Sequence, residues 1–196
     1  MCSRTTAVEK IEHCHLSQWL ICNLNPSTGR STELVVKKSI EAAMIGAAMR
    51  GTVRLNDEAR GRLPDIYADI CGRHLSFDCR HWTDTAARGG KVYLSREFYG
   101  TARGRPSLTT FLKDSSRFLF VAFELAVIDP TGHRERRLFC IPGPWLQYQF
   151  ERSTGVKICD LAEAWLSFGK NQSLLYDLDM WKLIEIADEY HGGVIR

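Results

Sequence analysis

No apolar run in the 196-residue sequence is long enough to cross a bilayer. The two longest stretches, 118–128 and 34–49, are interrupted by Glu124 and by Lys37, Lys38 and Glu41, short of the roughly 20 residues a membrane helix needs. The N-terminal region carries Arg4, Glu9, Lys10 and Glu12 with no apolar stretch of signal-peptide length before them. The reading is a soluble, cytoplasmic protein that does not engage a membrane. The sequence also lacks a Gly-x4-Gly-Lys-Ser/Thr phosphate loop, a Gly-x-Gly-x2-Gly dinucleotide motif, a Gly-x-Ser-x-Gly elbow and a His-Glu-x2-His helix, so no common cofactor class is supported and none is expected. It has no internal repeat and no low-complexity segment.

Seven cysteines are an odd number, and Cys2, Cys14, Cys22, Cys71, Cys79, Cys140 and Cys159 are spaced irregularly, unlike a secreted disulfide framework. They read as reduced thiols, mostly small core residues. With 44% hydrophobic and 25% charged residues the composition is that of an ordinary globular chain, and the length suits a single domain over 1–196. Within it a helical part (7–50) precedes a sheet core (51–150) and a second helical part (156–191).

The net charge of +3 is unevenly placed. Residues 50–137 hold 16 basic and 11 acidic side chains, whereas 138–196 hold 5 basic and 8 acidic. The basic excess of the middle is nearly all arginine, whose planar fork suits phosphate. Arg88 and Lys91 around Gly89-Gly90, and Arg103 and Arg105 around Gly104, read as exposed loops able to lie against an anionic backbone, with Trp82, Tyr93 and Tyr99 as aromatic neighbours.

Apolar spacing of three and four predicts an amphipathic helix over 7–24, stopped by Pro26. A second helix is expected from Ser31 or Thr32 to about Arg50, its small residues around Gly46 admitting a close neighbour. Residues 52–55 alternate like a strand, and 56–70 could be a helix interrupted by Pro64. Strands are expected over 74–79 and 91–98, a short helix over 107–113, and a central strand over 118–128 whose two faces are both apolar. A partner strand should return over 137–145. Helices are then expected around Leu161, Ala164, Trp165 and Phe168, and over 177–190. The fold class is α+β: a central sheet, mostly antiparallel or mixed, with helices packed from both chain ends.

Three constellations bear on chemistry. Cys71, His74, Cys79 and His81 could be zinc ligands by residue type, but strand geometry carries the first two away from the last two, so no metal site is expected there. Glu124 interrupts the apolar strand on the face of Phe118, Phe120 and Ala122, and should pair with Arg134, Arg136 or Arg137 of the returning strand, the alternative being a raised pKa and a place in the lining of a site. Third, the order helix, strand, strand, helix, long buried strand resembles the core of restriction-like nucleases, in which a metal-bound carboxylate on one strand is followed by an acid and a lysine on the next. The resemblance is topological. It would implicate Glu41, Asp78 and Ser95-Arg96-Glu97, with Lys91 as the only nearby lysine, and this set does not fill the acid and lysine positions as metal-assisted hydrolysis requires.

The first functional reading is therefore a nucleic-acid-associated binding protein that uses Arg88, Lys91, Arg103 and Arg105 of its arginine-rich middle. The second is a protein-interaction module, an inhibitor or effector whose partner is another protein. The third is a metal-assisted hydrolase with a degenerate restriction-like core.

Overall fold

The computed structural model describes residues 20–21, 29–56, 64–81, 93–95, 108–128, 134–153, 155–157 and 167–191. In chain order these form β1 (Leu20–Ile21), α1 (Gly29–Gly46), β2 (Gly51–Leu55), β3 (Ile66–Ile70), β4 (Arg73–His81), β5 (Tyr93–Ser95), α2 (Leu108–Asp114), β6 (Phe118–Ile128), β7 (Arg134–Pro142), α3 (Gly143–Arg152), β8 (Gly155–Lys157), β9 (Ser167–Phe168) and α4 (Met180–His191). The class is α+β, with a mixed sheet and helices contributed from both chain ends.

The main sheet runs β2-β3-β4-β6-β7-β9. Its first three strands form an antiparallel meander, while β6 lies parallel to β4 with Phe77 opposite Phe120. A parallel neighbour requires a crossover rather than a hairpin. The chain between β4 and β6, which includes α2, supplies it. On its other edge β6 pairs antiparallel with β7, Phe123 facing Phe139. The turn between β3 and β4 has only two residues, Cys71 and Gly72, with φ of 49° and 77°. Both lie in the left-handed region of a primed hairpin turn, which matches the twist of the strands it joins.

Both faces of β6 are covered, as its two-sided apolar pattern predicts. Phe118, Phe120 and Ala122 join a core with Val36, Ile40 and Met44 of α1 and Met180, Leu183, Ile184 and Ala187 of α4. The α1 residues recur every fourth position and so form one stripe. Leu119, Val121 and Phe123 are buried on the opposite face, where α3 packs through Leu146 and Phe150. A Cβ on Gly143 would sit 3.1 Å from the Leu119 carbonyl oxygen and 3.3 Å from the side chain of Leu112. Glycine there lets the start of α3 approach the sheet.

Several expectations are corrected. Leu20 and Ile21, read as helix, form a strand against Ile128 and Val127. The part of β6 beyond its pairing with β4 leaves an open edge, and an adjacent apolar pair can fill it. Residues 66–70, read as the end of a broken helix, form β3, because Ile66, Ala68 and Ile70 turn inward while Tyr67 and Asp69 turn out. The returning strand stops at Pro142, and Trp145 is helical, since Pro142 and Pro144 have no N–H for a ladder. Ser167–Phe168 is a strand on β7 rather than helix; 158–166 lie outside the described residues. No described residue approaches within 4 Å of a Cβ at Gly46, so close packing among the described residues does not explain that glycine.

Candidate active site

β3 is entered through Pro64, whose carbonyl accepts a hydrogen bond from the Asn56 amide at 2.8 Å. The next residue, Asp65, is tied at three points. Its N–H donates to the Phe77 carbonyl at 3.0 Å, its carbonyl accepts from the Asn56 N–H at 2.8 Å, and its Oδ2 accepts from the Cys79 N–H at 2.7 Å. The last bond lays the carboxylate alongside β4, next to Asp78.

On β4 strict alternation sends Leu75, Phe77 and Cys79 into the core, and Ser76, Asp78 and Arg80 to the other face. Asp78 is fully buried. Arg80, two positions on and only partly buried, grips it with both ends of its fork, Nε to Oδ2 at 2.7 Å and Nη2 to Oδ1 at 2.9 Å. Burial pushes the Asp78 carboxyl up to about 7; Arg80 pulls it down, and the nearby Asp65 charge raises it further. Asp65 is also hydrogen-bonded to Asp78, and that contact favours the protonated carboxyl. Two carboxyls, one on β4 and one at the entry to β3, thus meet beside a guanidinium, with Asp65 and Arg80 both partly exposed. Glu33 of α1 places a further negative charge close to Cys79.

This arrangement corrects the assignment made from element order. The strand beside Asp78 is β3, not the one carrying Ser95. Ser95 belongs to a separate two-stranded sheet, β5-β8, and Arg96, Glu97 and Lys91 lie outside the described residues. Glu41 is occupied with Lys37, one turn back on α1. Asp65 was missed. The signal for it was Pro64-Asp65 ahead of an alternating run, with Asp78-Cys79-Arg80 thirteen residues on.

On the core face at the same end of the sheet, Glu124 is 5% exposed. It pairs with Arg136 of the returning strand at 3.3 Å, as its register predicts. Sequence reading did not anticipate its other partners: the Tyr176 hydroxyl donates at 2.5 Å, the Thr32 hydroxyl at 3.0 Å, and Lys170 lies 3.5 Å away. Burial opposes its charge, yet Tyr176, Lys170, Arg136 and Thr32 together hold the carboxyl below its ordinary range. Arg137 turns to the other face and bonds Ser167.

The Cys/His set is not brought together. Cys79 is buried in the core, Cys71 is exposed in the turn, and His74 is exposed against Asp69 at 2.7 Å. No group of three or more His, Cys, Asp or Glu side chains among the described residues is placed to hold a metal. Arg88, Lys91, Arg103 and Arg105 all lie outside the described residues, as do Trp82 and Tyr99. No described helix is long and apolar enough to cross a membrane. Comparison with protein-family models and with curated proteins finds no match.

Proposed function

We propose that the chain is a metal-dependent phosphodiesterase acting on nucleic acid, with Asp65 and Asp78 as its two carboxylates and Arg80 as the fixed positive charge beside them. One observation carries the reading: two carboxyls are brought together at the β3–β4 pair, Asp65 held against β4 by the Cys79 N–H and Asp78 buried beside it, with an arginine two residues beyond the second. In the restriction-like pattern Asp65 takes the place of the first carboxylate, and Asp78-Cys79-Arg80 that of the acid and lysine on the next strand. The antiparallel meander followed by a parallel β4–β6 join supports the same reading.

Asp65 and Asp78 supply hard oxygen donors of the kind Mg2+ takes, one or two carboxylates with water and substrate phosphate oxygens completing the shell, and a cation entering there would take Asp78 oxygens that Arg80 holds in this structure. A pair of carboxyls that retains a proton to limit its own repulsion is equally relieved by a cation. Such an ion, when bound, polarises the phosphoryl group and activates water. Arginine stays protonated at all working pH values, so Arg80 does not take a proton from water. It offsets the charge of Asp78 and faces the charge that develops on phosphate. Nucleic acid is the substrate class because 50–137 is arginine-rich, and Arg88, Lys91, Arg103 and Arg105 enter the proposal as contacts to its backbone.

The test is incubation with mixed-sequence DNA and RNA in Mg2+ and in chelator. Cleavage should require Mg2+ and be lost in Asp78→Asn. Salt-sensitive binding without cleavage would leave the nucleic-acid-binding reading in its place. Absence of both would favour the protein-interaction module.

A further inference from the structure

The face of the sheet that carries Asp78 and Arg80 continues across β3 and β2. Ser76, one alternation before Asp78, is opposite Tyr67 on β3, and Tyr67 is opposite Arg54 on β2. Arg54, Tyr67 and Ser76 therefore form one row across three strands. That row lies about 7 Å from Asp78 along β4, two residues at roughly 3.4 Å each. The Arg54 guanidinium carbon lies 5.1 Å from the Tyr67 ring centroid, and that of Arg117 lies 4.9 Å from it. Arg117 is further held by Asp69 at 2.8 Å and by the Leu75 carbonyl at 3.3 Å. Asp69 also receives His74. Asp69, the acid of the patch among the described residues, is thus already engaged twice. Arg54 is exposed, and its partner among the described residues is a ring rather than a carboxylate. A guanidinium on an aromatic face keeps its N–H donors pointing outward.

We propose that Arg54, laid on Tyr67 with Arg117 at the same ring, is a backbone-phosphate subsite for the nucleic-acid strand that reaches the Asp65–Asp78 pair. The inference rests on the phosphodiesterase reading for the course of that strand. Its own content is narrower: Arg54 is a positioning residue that takes a phosphate next to the one attacked. Tyr67 aims Arg54, and Arg117, fixed by Asp69, holds the ring.

The test is fluorescence anisotropy with a labelled, mixed-sequence single-stranded DNA, titrated in chelator at several salt concentrations so that cleavage plays no part. Arg54→Ala should weaken binding about fivefold at low salt and lower the salt slope by about 0.7, the value for one phosphate contact on a single strand. Tyr67→Leu should act in the same direction, while Tyr67→Phe keeps the stack and should match the parent. Arg152→Ala is the control: Arg152 is an exposed arginine stacked 3.5 Å from the Tyr148 ring on α3, and its loss removes the same charge elsewhere. An Arg54→Ala slope equal to the parent's, an equal drop in Arg152→Ala, or no binding by the parent at low salt overturns the subsite. With Mg2+ added, Arg54→Ala should raise KM several-fold and lower kcat less than twofold. A parent that binds through Arg54 but does not cleave would remove the hydrolase reading and leave the subsite standing.

Discussion

Asp65 accepts the Cys79 N–H at 2.7 Å, and that bond holds its carboxylate against Asp78, the residue before Cys79. The raised pKa of Asp78 follows from this contact and from its full burial. It makes the pair sensitive to pH near neutrality.

At Mg2+ well below saturation, where the pair is mostly unfilled, cleavage should rise as pH passes through about 7, where Asp78 of the free pair gives up its proton. Arg80→Ala removes the strongest pull favouring the charged form and should move the midpoint upward, while Arg80→Lys should move it less. Rate profiles between pH 5 and 9 read this directly. A profile flat across neutrality, or one unmoved in Arg80→Ala, contradicts the assignment.

Stability should show the same group with the opposite trend. The folded state holds the Asp78 proton up to about 7, whereas an unfolded aspartate releases it near pH ~3.9. Between these values the native state binds more protons, so unfolding free energy falls as pH rises. Asp78→Asn should flatten that fall by about 3 kcal/mol or less between pH 5 and 8, measured by urea titration at each pH.

Glu124 should act in the acid range. Its folded carboxyl is held below the ordinary value, so the stability it contributes is present above pH ~4.3 and is lost as pH falls through the folded value. Tyr176→Phe removes the 2.5 Å bond and should cost about 1–3 kcal/mol, while Glu124→Ala strands Tyr176, Arg136 and Lys170 and should cost more. Equal denaturation midpoints for parent and Tyr176→Phe would show that the bond contributes nothing net.

Two glycines should respond oppositely to alanine. At Gly51 a Cβ would stand 2.0 Å from the Asp69 carbonyl oxygen, so Gly51→Ala must part β2 from β3 and should destabilise by about 2 kcal/mol or more. At Gly46, the last residue of α1, no described residue lies within 4 Å, and alanine should stabilise by about 0.5 kcal/mol. Thermal unfolding of the two variants separates the cases. Because Arg54 lies on β2, Gly51→Ala should also weaken nucleic-acid binding.

Local pattern was enough where one rule decides. Ten of the eleven residues of β6 are apolar and fall on both faces, and that alone marks a central strand covered twice. The i, i+4, i+8 stripe of Val36, Ile40 and Met44 marks a helix, and the parity of Glu124 points it at the returning strand, where Arg136 receives it. Short segments were not legible in the same way. Leu20-Ile21 and 66–70 suit helix or strand equally by local preference, and the open edges of β6 and β4 settled them. The candidate site depended still more on pairing. Asp78 was visible as a carboxylate on a strand, but its partner could be named only once β3, rather than the strand of Ser95, was seen beside β4. Sequence order does not say which strands become neighbours. Hydrogen-bonded pairing across the sheet does, and it brought Asp65, Asp78 and Arg80 to one place and aligned Arg54 with Tyr67 and Ser76.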